Sequence, residues 1–181
     1  MSLVTGLRAE EYLAGDWERH TQLVGGEVVV TDPRFWHQEL VFRILRSLRE
    51  WCEGPGRGMA GFGGNWVLGP GDVYCPDVWW LADPGRLDLR ALSHDGGPDL
   101  AVEVRSPSTW HFDIGRKRSV YESAGVGELW LVDHPAQAVL VARRSEPKSP
   151  TFDVSAEVGP GEALTSPLLP GFGLAVDELF A

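Results

Sequence analysis

Two carboxylates stand where carboxylates are costly. Glu103 lies in the apolar run Pro98-Asp99-Leu100-Ala101-Val102-Glu103-Val104-Arg105, and Asp77 in Val73-Tyr74-Cys75-Pro76-Asp77-Val78-Trp79-Trp80-Leu81. An ionised group in such a setting needs a cation or hydrogen bonds to compensate it. The first run alternates with period two: Leu100, Val102 and Val104 face one way, Ala101, Glu103 and Arg105 the other, as in a strand. The second reads as a strand over 73–81 with Asp77 inside it. If the two strands are neighbours, both carboxylates converge on one Mg²⁺ or Mn²⁺, ions that favour hard oxygen ligands. Such an ion polarises a phosphoryl oxygen and lowers the pKa of a bound water.

Phosphodiester hydrolysis also calls for a cation near the developing negative charge. Two residues qualify. Arg105 shares a strand face with Glu103, and Lys117 sits on the following helix, one turn after Asp113 and one before Tyr121. Arginine is a fixed charge, whereas lysine can also manage a proton. That gives Lys117 the catalytic role and Arg105 a phosphate contact, with Tyr121 a core residue whose hydroxyl reaches the site edge. Each residue also has a plain structural use. Asp77 after a proline can cap a turn, Glu103 can pair with Arg105 or Lys117, and Asp113 with Lys117 is an ordinary i,i+4 ion pair. His37 beside an apolar stripe can be a structural histidine. Their joint spacing carries the argument.

The elements that must hold these residues are mostly legible. Thr5 can cap a short helix through Arg8–Leu13, and Gly25-Gly26 joins two short apolar runs as a hairpin. After Pro33, Trp36, Leu40, Val41, Ile44, Leu45, Leu48 and Trp51 form a 3.6-period stripe that stops at Gly54. A further hairpin spans Gly69–Asp72, and residues 82–98 read as loop. A helix is expected over about 111–124, with Ile114, Val120 and Tyr121 facing the sheet beside Lys117, then strands over 128–133 and 138–143. The Gly-rich stretch 54–64 lacks the Gly-Lys-Ser/Thr ending of a phosphate loop.

The totals set limits. The 181 residues suit one domain, 1–181, with an α/β mixed sheet. A net charge of −10 argues against a general nucleic-acid coating protein. It permits a local basic patch, and Arg105, Arg116, Lys117 and Arg118 cluster around the candidate site against Asp113 alone. Cys52 and Cys75 form no CxxC pair and read as reduced thiols. With no secretory segment and no apolar run near the ~20 residues of a membrane span, a soluble cytoplasmic protein is expected. Eight Trp point to a filled core or an aromatic interface. Trp79 and Trp80 should face opposite ways, one of them exposed at the contact of a homodimer, the commonest oligomer.

The order Pro76-Asp77-Val78, Glu103-Val104-x-Ser106-Pro107-Ser108-Thr109, Asp113, Lys117, Tyr121, Gly125-Val126-x-Glu128-Leu129-Trp130-Leu131-Val132-Asp133 resembles the Uma2 family. Through it the chain resembles the PD-(D/E)XK nuclease superfamily. Gly26-Glu27, His37 and Leu169-Pro170-Gly171-Phe172 extend the likeness over nearly the whole chain. The resemblance implies a restriction-endonuclease-like α/β fold, a mixed central sheet flanked by helices, and a Mg²⁺- or Mn²⁺-dependent endonuclease acting on DNA. In it Asp77 matches the aspartate of the PD motif and Glu103 the second acidic residue, both metal ligands. The lysine is displaced onto the helix, at Lys117, and Glu27 and His37 are further site residues. The chain departs from the family at Arg105, where an aliphatic residue is common. That substitution and the acidic net charge favour a rival reading, an inactive nuclease-fold domain for protein or nucleic-acid interaction. A third, a small-phosphoester hydrolase, would show a closed pocket.

Overall fold

A short helix, α1 (Ala9–Leu13), and a hairpin of β1 (Thr21–Val24) and β2 (Glu27–Val30) begin the computed structural model, which describes residues 6–17, 20–31, 33–106 and 110–181. Thr5, expected to cap α1, lies outside the described residues, as do Pro107, Ser108 and Thr109 of the family pattern. Gly25 and Gly26 turn the hairpin at φ of 62° and 78°, the left-handed pair that two-residue hairpins require. The long helix α2 (Phe35–Cys52) buries the stripe its periodicity predicts: Leu40, Val41, Ile44 and Leu48 are inside, with Trp36, Leu45 and Trp51 packed against them.

Five strands and turns follow: β3 (Met59–Gly61), β4 (Asn65–Gly69), β5 (Asp72–Tyr74), β6 (Val78–Leu81) and, after a 3-10 turn at Pro84–Arg86, β7 (Ser93–Asp95). The strand expected over 73–81 is therefore two strands in two different sheets. Pro76 has no N–H to give to a ladder, so pairing stops there and the chain crosses over. Asp77 sits on the resulting bend, one residue before β6, instead of inside a strand.

The next strand is β8 (Leu100–Val104). It leads to α3 (Trp110–Phe112), a π-helical turn at Asp113–Lys117 and α4 (Arg118–Ser123). The chain finishes with β9 (Glu128–Asp133), β10 (Ala138–Arg143), β11 (Val154–Val158), β12 (Ala163–Leu164), β13 (Leu174–Ala175) and α5 (Val176–Phe180).

Among the described residues, one sheet has the order β2-β1-β5-β4-β7, the larger one β11-β10-β9-β8-β6-β3, and β12 pairs with β13. This is the mixed α/β architecture the sequence predicts. Buried along its whole length, β8 lies between antiparallel β6 and parallel β9. Its Leu100, Val102 and Val104 join the core under α2, and Ala101 joins Tyr121, Leu129 and Leu131 on the other face. Alternation thus sends Glu103 toward the helical segment that follows β8. Trp79 and Trp80 do face opposite ways, but both are buried, Trp79 against Trp66 and Trp80 against Trp51. Neither is exposed for a subunit contact, because each side of β6 is covered by a packed layer. Among the described residues no helix is long and apolar enough to cross a membrane.

Candidate functional site

Asp77, Glu103 and Lys117 all line one cleft of about 420 Å³, open to solvent. The bend at Pro76 lets the Asp77 side chain turn onto β8, where its Oδ2 accepts the Val104 N–H at 2.7 Å. That hydrogen bond fastens Asp77 to the residue next to Glu103. From the other side, His37 in the first turn of α2 brings Nε2 to 3.2 Å from the same oxygen.

Glu103 Oε1 accepts from Tyr121 Oη at 2.6 Å and from Lys117 Nζ at 3.2 Å. Lys117 also meets Asp113 Oδ1 at 2.9 Å, and its ammonium lies over the Tyr74 ring at 5.6 Å. Glu103, Asp113, Lys117 and Tyr121 are all buried. Four residues of an α-helix overshoot a full turn by about 40°, so positions four apart drift off one face. The π-helical turn takes up that drift and lines up Asp113, Lys117 and Tyr121 on the inner face. Ile114, expected on that face, is 46% exposed for the same reason.

Burial pushes the Glu103 carboxyl up, to about 8; Lys117 opposes the rise, and the Asp113 and Asp77 carboxylates add to it. Burial disfavours charge on Lys117, yet Glu103 and Asp113 outweigh it and hold the ammonium above its ordinary value. The same contest at His37 is won by Asp77, which raises the ring above its usual range despite burial. Desolvation, reinforced by Glu103 and Asp77, lifts the Cys75 thiol at the cleft wall to about 11.

The other expected residues fall elsewhere. Tyr121 does not line the cleft and is joined to it only through Glu103, to which its hydroxyl donates. Arg105 leaves the site: its Nη1 bridges both Asp133 oxygens at 2.8 and 2.9 Å, and its guanidinium covers Trp110. Glu27 stands at the far end of the β1–β2 hairpin from the cleft, which is lined instead by Thr21 and Thr31 near the open end. At about 3.3 Å per residue, Thr31 is about 13 Å from Glu27 along the strand. Sequence reasoning undervalued Asp113, whose i,i+4 spacing with Lys117 looked like a surface pair. It passed over Gln22, a buried amide whose place beside Leu23 and Val24 in a short strand was the available signal.

The donor set fits a hard divalent ion. Asp77 and Glu103 both line the cleft, and a divalent cation between them would favour the ionised form of the Glu103 carboxyl that burial opposes. Asp77 Oδ1 and Glu103 Oε2 make no hydrogen bond among the described residues. No group of three His, Cys, Asp or Glu side chains is placed there to hold a metal among those residues. Two carboxylates with the remaining positions left to water or carbonyls suit Mg²⁺ or Mn²⁺ better than a zinc-type cage.

No curated protein matches the chain. A solved structure, a putative nuclease belonging to DUF820 from Anabaena variabilis ATCC 29413, superposes with a TM-score of 0.80 over 97% of this chain and 98% of that one. At 17% identity that likeness is one of fold. The Uma2 family, described as "Putative restriction endonuclease", matches residues 9–177. A match from α1 to α5, with the cleft and its carboxylates inside it, decides the matter: the chain belongs to the Uma2 family.

Proposed function

We propose that the protein is a divalent-metal-dependent endonuclease of PD-(D/E)XK type that hydrolyses phosphodiester bonds in DNA, built as one domain over 1–181. The observation that carries this reading is the joining of Asp77 to the Glu103 strand, with Lys117 held between Glu103 and Asp113 at the cleft floor. Asp77 and Glu103 would hold Mg²⁺ or Mn²⁺, which would polarise the phosphoryl oxygen and acidify a bound water. Lys117 supplies the fixed positive charge beside the developing negative one, and its two carboxylate neighbours keep it protonated. Tyr121 holds the Glu103 carboxylate in place. His37 orients Asp77 and offers a proton store at the cleft wall. The first turns of helix α2 flank the cleft through His37, Gln38 and Val41.

A second reading, an inactive nuclease-fold domain, draws on Lys117 being closely paired on both sides and on Arg105 being tied to Asp133. One experiment separates them. Supercoiled plasmid is incubated with the protein and Mg²⁺ or Mn²⁺, beside EDTA and the variant Asp77→Asn, while Mn²⁺ binding is followed by calorimetry. Metal-dependent nicking that Asp77→Asn abolishes, together with one class of Mn²⁺ site lost in that variant, supports the nuclease. Mn²⁺ binding with no nicking supports the inactive domain. The reading includes a cytoplasmic homodimer, and sedimentation showing only a monomer-sized species at micromolar concentration would remove the dimer.

A further inference from the structure

Three of the four cations of the basic cluster seen in the sequence are held in ion pairs, and the fourth, Arg118, donates to Ser155 Oγ at 3.4 Å. Arg105 is paired with Asp133 at 2.8 Å, Arg116 with Asp72 at 2.9 Å, and Lys117 is inside with Glu103 and Asp113. No arginine is among the described residues lining the cleft, and the charged ones are Asp77, Glu103 and Lys117 beside two histidines. A protein that holds duplex DNA by its phosphates needs several exposed cations for the purpose.

Neutral recognition groups stand there instead. Gln22, Gln38 and Asn65 line the walls. Gln22 Oε1 accepts the Cys75 N–H at 3.3 Å, leaving its amide N–H₂ without a partner among the described residues. Asn65 has the opposite arrangement: its amide donates to the Leu92 carbonyl at 3.4 Å and leaves its oxygen to accept. One donor and one acceptor are thus aimed by backbone contacts, as edge recognition of a nucleobase requires.

Phe62 completes the set. It lines the same cleft with 65% of its surface in water. Its exposure is built in. Next to it, Gly63 donates N–H to the Pro76 carbonyl at 3.1 Å and accepts Trp79 Nε1 at 2.9 Å, so the loop backbone is fastened on both sides. On its other side, Gly61 packs its backbone against the Trp79 ring, where a Cβ would lie 2.2 Å away. An exposed aromatic face on a fastened loop is a platform on which an unpaired base stacks.

We infer that the cleft takes an unpaired strand: Phe62 stacks one base, Gln22 and Asn65 read its edge, and the adjoining phosphodiester lies over Asp77 and Glu103. Smooth duplex is a poor substrate, and cleavage falls on single-stranded, frayed or looped segments. This deepens the nuclease reading and rests on it.

The test uses a fluorescein-labelled 12-nucleotide DNA strand of mixed sequence, alone and annealed to its complement, with Mn²⁺. Wild type, Phe62→Ala and Phe62→Tyr are compared by steady-state cleavage and, without metal, by fluorescence anisotropy. The expected result is kcat/KM at least tenfold higher on the single strand. Phe62→Ala raises the single-strand KM about tenfold with little change in kcat, and Phe62→Tyr restores it. Duplex cleaved as well as the single strand, or a single-strand KM untouched by Phe62→Ala, overturns the inference while leaving the nuclease reading intact. Cleavage of neither overturns the nuclease reading. In that case single-strand binding weakened by Phe62→Ala supports the stacking role, and binding that is absent or unchanged ends it.

Discussion

Tyr121 Oη and Lys117 Nζ both meet one oxygen of Glu103, at 2.6 and 3.2 Å, although they come from opposite ends of a helical turn. Both donors favour the ionised carboxylate. Tyr121→Phe removes one and keeps the ring that packs on Tyr74. With a hydrogen bond to a charged group worth about 1.5–3 kcal/mol, cleavage at pH 7 should fall about tenfold or more. Glu103 then needs a higher pH to ionise, so the rising limb of the pH–rate profile should move upward. A profile superposable on wild type would mean that Tyr121 has no hold on the reacting carboxylate.

Metal-free stability should depend on pH in a defined direction. The Glu103 carboxyl stands at about 8 in the folded protein against 4.5 ordinarily, so the fold favours its neutral form. Its contribution is complete below about pH 4.5 and is lost as pH rises through 8. Buried Glu128, also raised, acts with the same sign. Melting in EDTA should therefore give a Tm that falls between pH 5 and 8. Mn²⁺ should restore more at pH 8 than at pH 6, because it binds the ionised form. Glu103→Gln should remove much of the slope, and a slope identical to wild type would assign the effect to other groups.

Lys117 and Arg105 should separate cleanly. Lys117→Met leaves Glu103 and Asp113 facing each other without a counter-charge, a loss of about 3–5 kcal/mol for a broken buried pair unless protons are taken up. Cleavage should disappear and Tm should drop, with partial recovery of Tm at pH 5. Arg105→Ala breaks a pair that is one-third exposed on the arginine side, worth about 1 kcal/mol or less, and should leave cleavage within about threefold. Strong loss of cleavage in Arg105→Ala with a normal melt would place Arg105 in the reaction.

Two glycines make a paired test of the helical segment and the cleft wall. Nothing lies within 4 Å of a Cβ placed on Gly115. Gly115→Ala should stabilise by about 0.5–1 kcal/mol through lower backbone entropy of the unfolded chain. Gly61→Ala meets the Trp79 ring at 2.2 Å and should destabilise by about 1–3 kcal/mol. Urea denaturation of the two variants measures both signs.

Legibility in the sequence followed the range of the forces involved. The α2 stripe, the Gly25-Gly26 hairpin and the strands at 128–133 and 138–143 were readable because each is set by neighbours along the chain. So was Glu103, through the period of β8. Asp77 was located but its element was not: Pro76 signalled a break, and the apolar run on both sides concealed a change of sheet. The inward turn of Asp113 was hidden because a π-helical turn has no composition of its own, and a regular helix puts Ile114 where Lys117 lies. Arg105 looked like a phosphate contact because its partner, Asp133, reaches it only through the parallel pairing of β8 with β9. The aromatic and amide lining of the cleft comes from β1, α2, the β3–β4 loop and β4, and no local pattern joins them.

The parallel pairing of β8 with β9 bears on how the site is put together. Parallel neighbours cannot be joined by a tight turn; the chain must leave the sheet and return through a crossover. Here that crossover is the segment bearing Asp113, Lys117 and Tyr121. The pairing of β9 with β8 and the approach of Lys117 to Glu103 are therefore linked through one crossover. Asp77 arrives through β6 on the opposite side of the same strand. Asp77 and Lys117 are thus contributed by segments that pack on the two sides of the strand that bears Glu103. One crossover therefore closes the sheet and completes the charge arrangement at its centre.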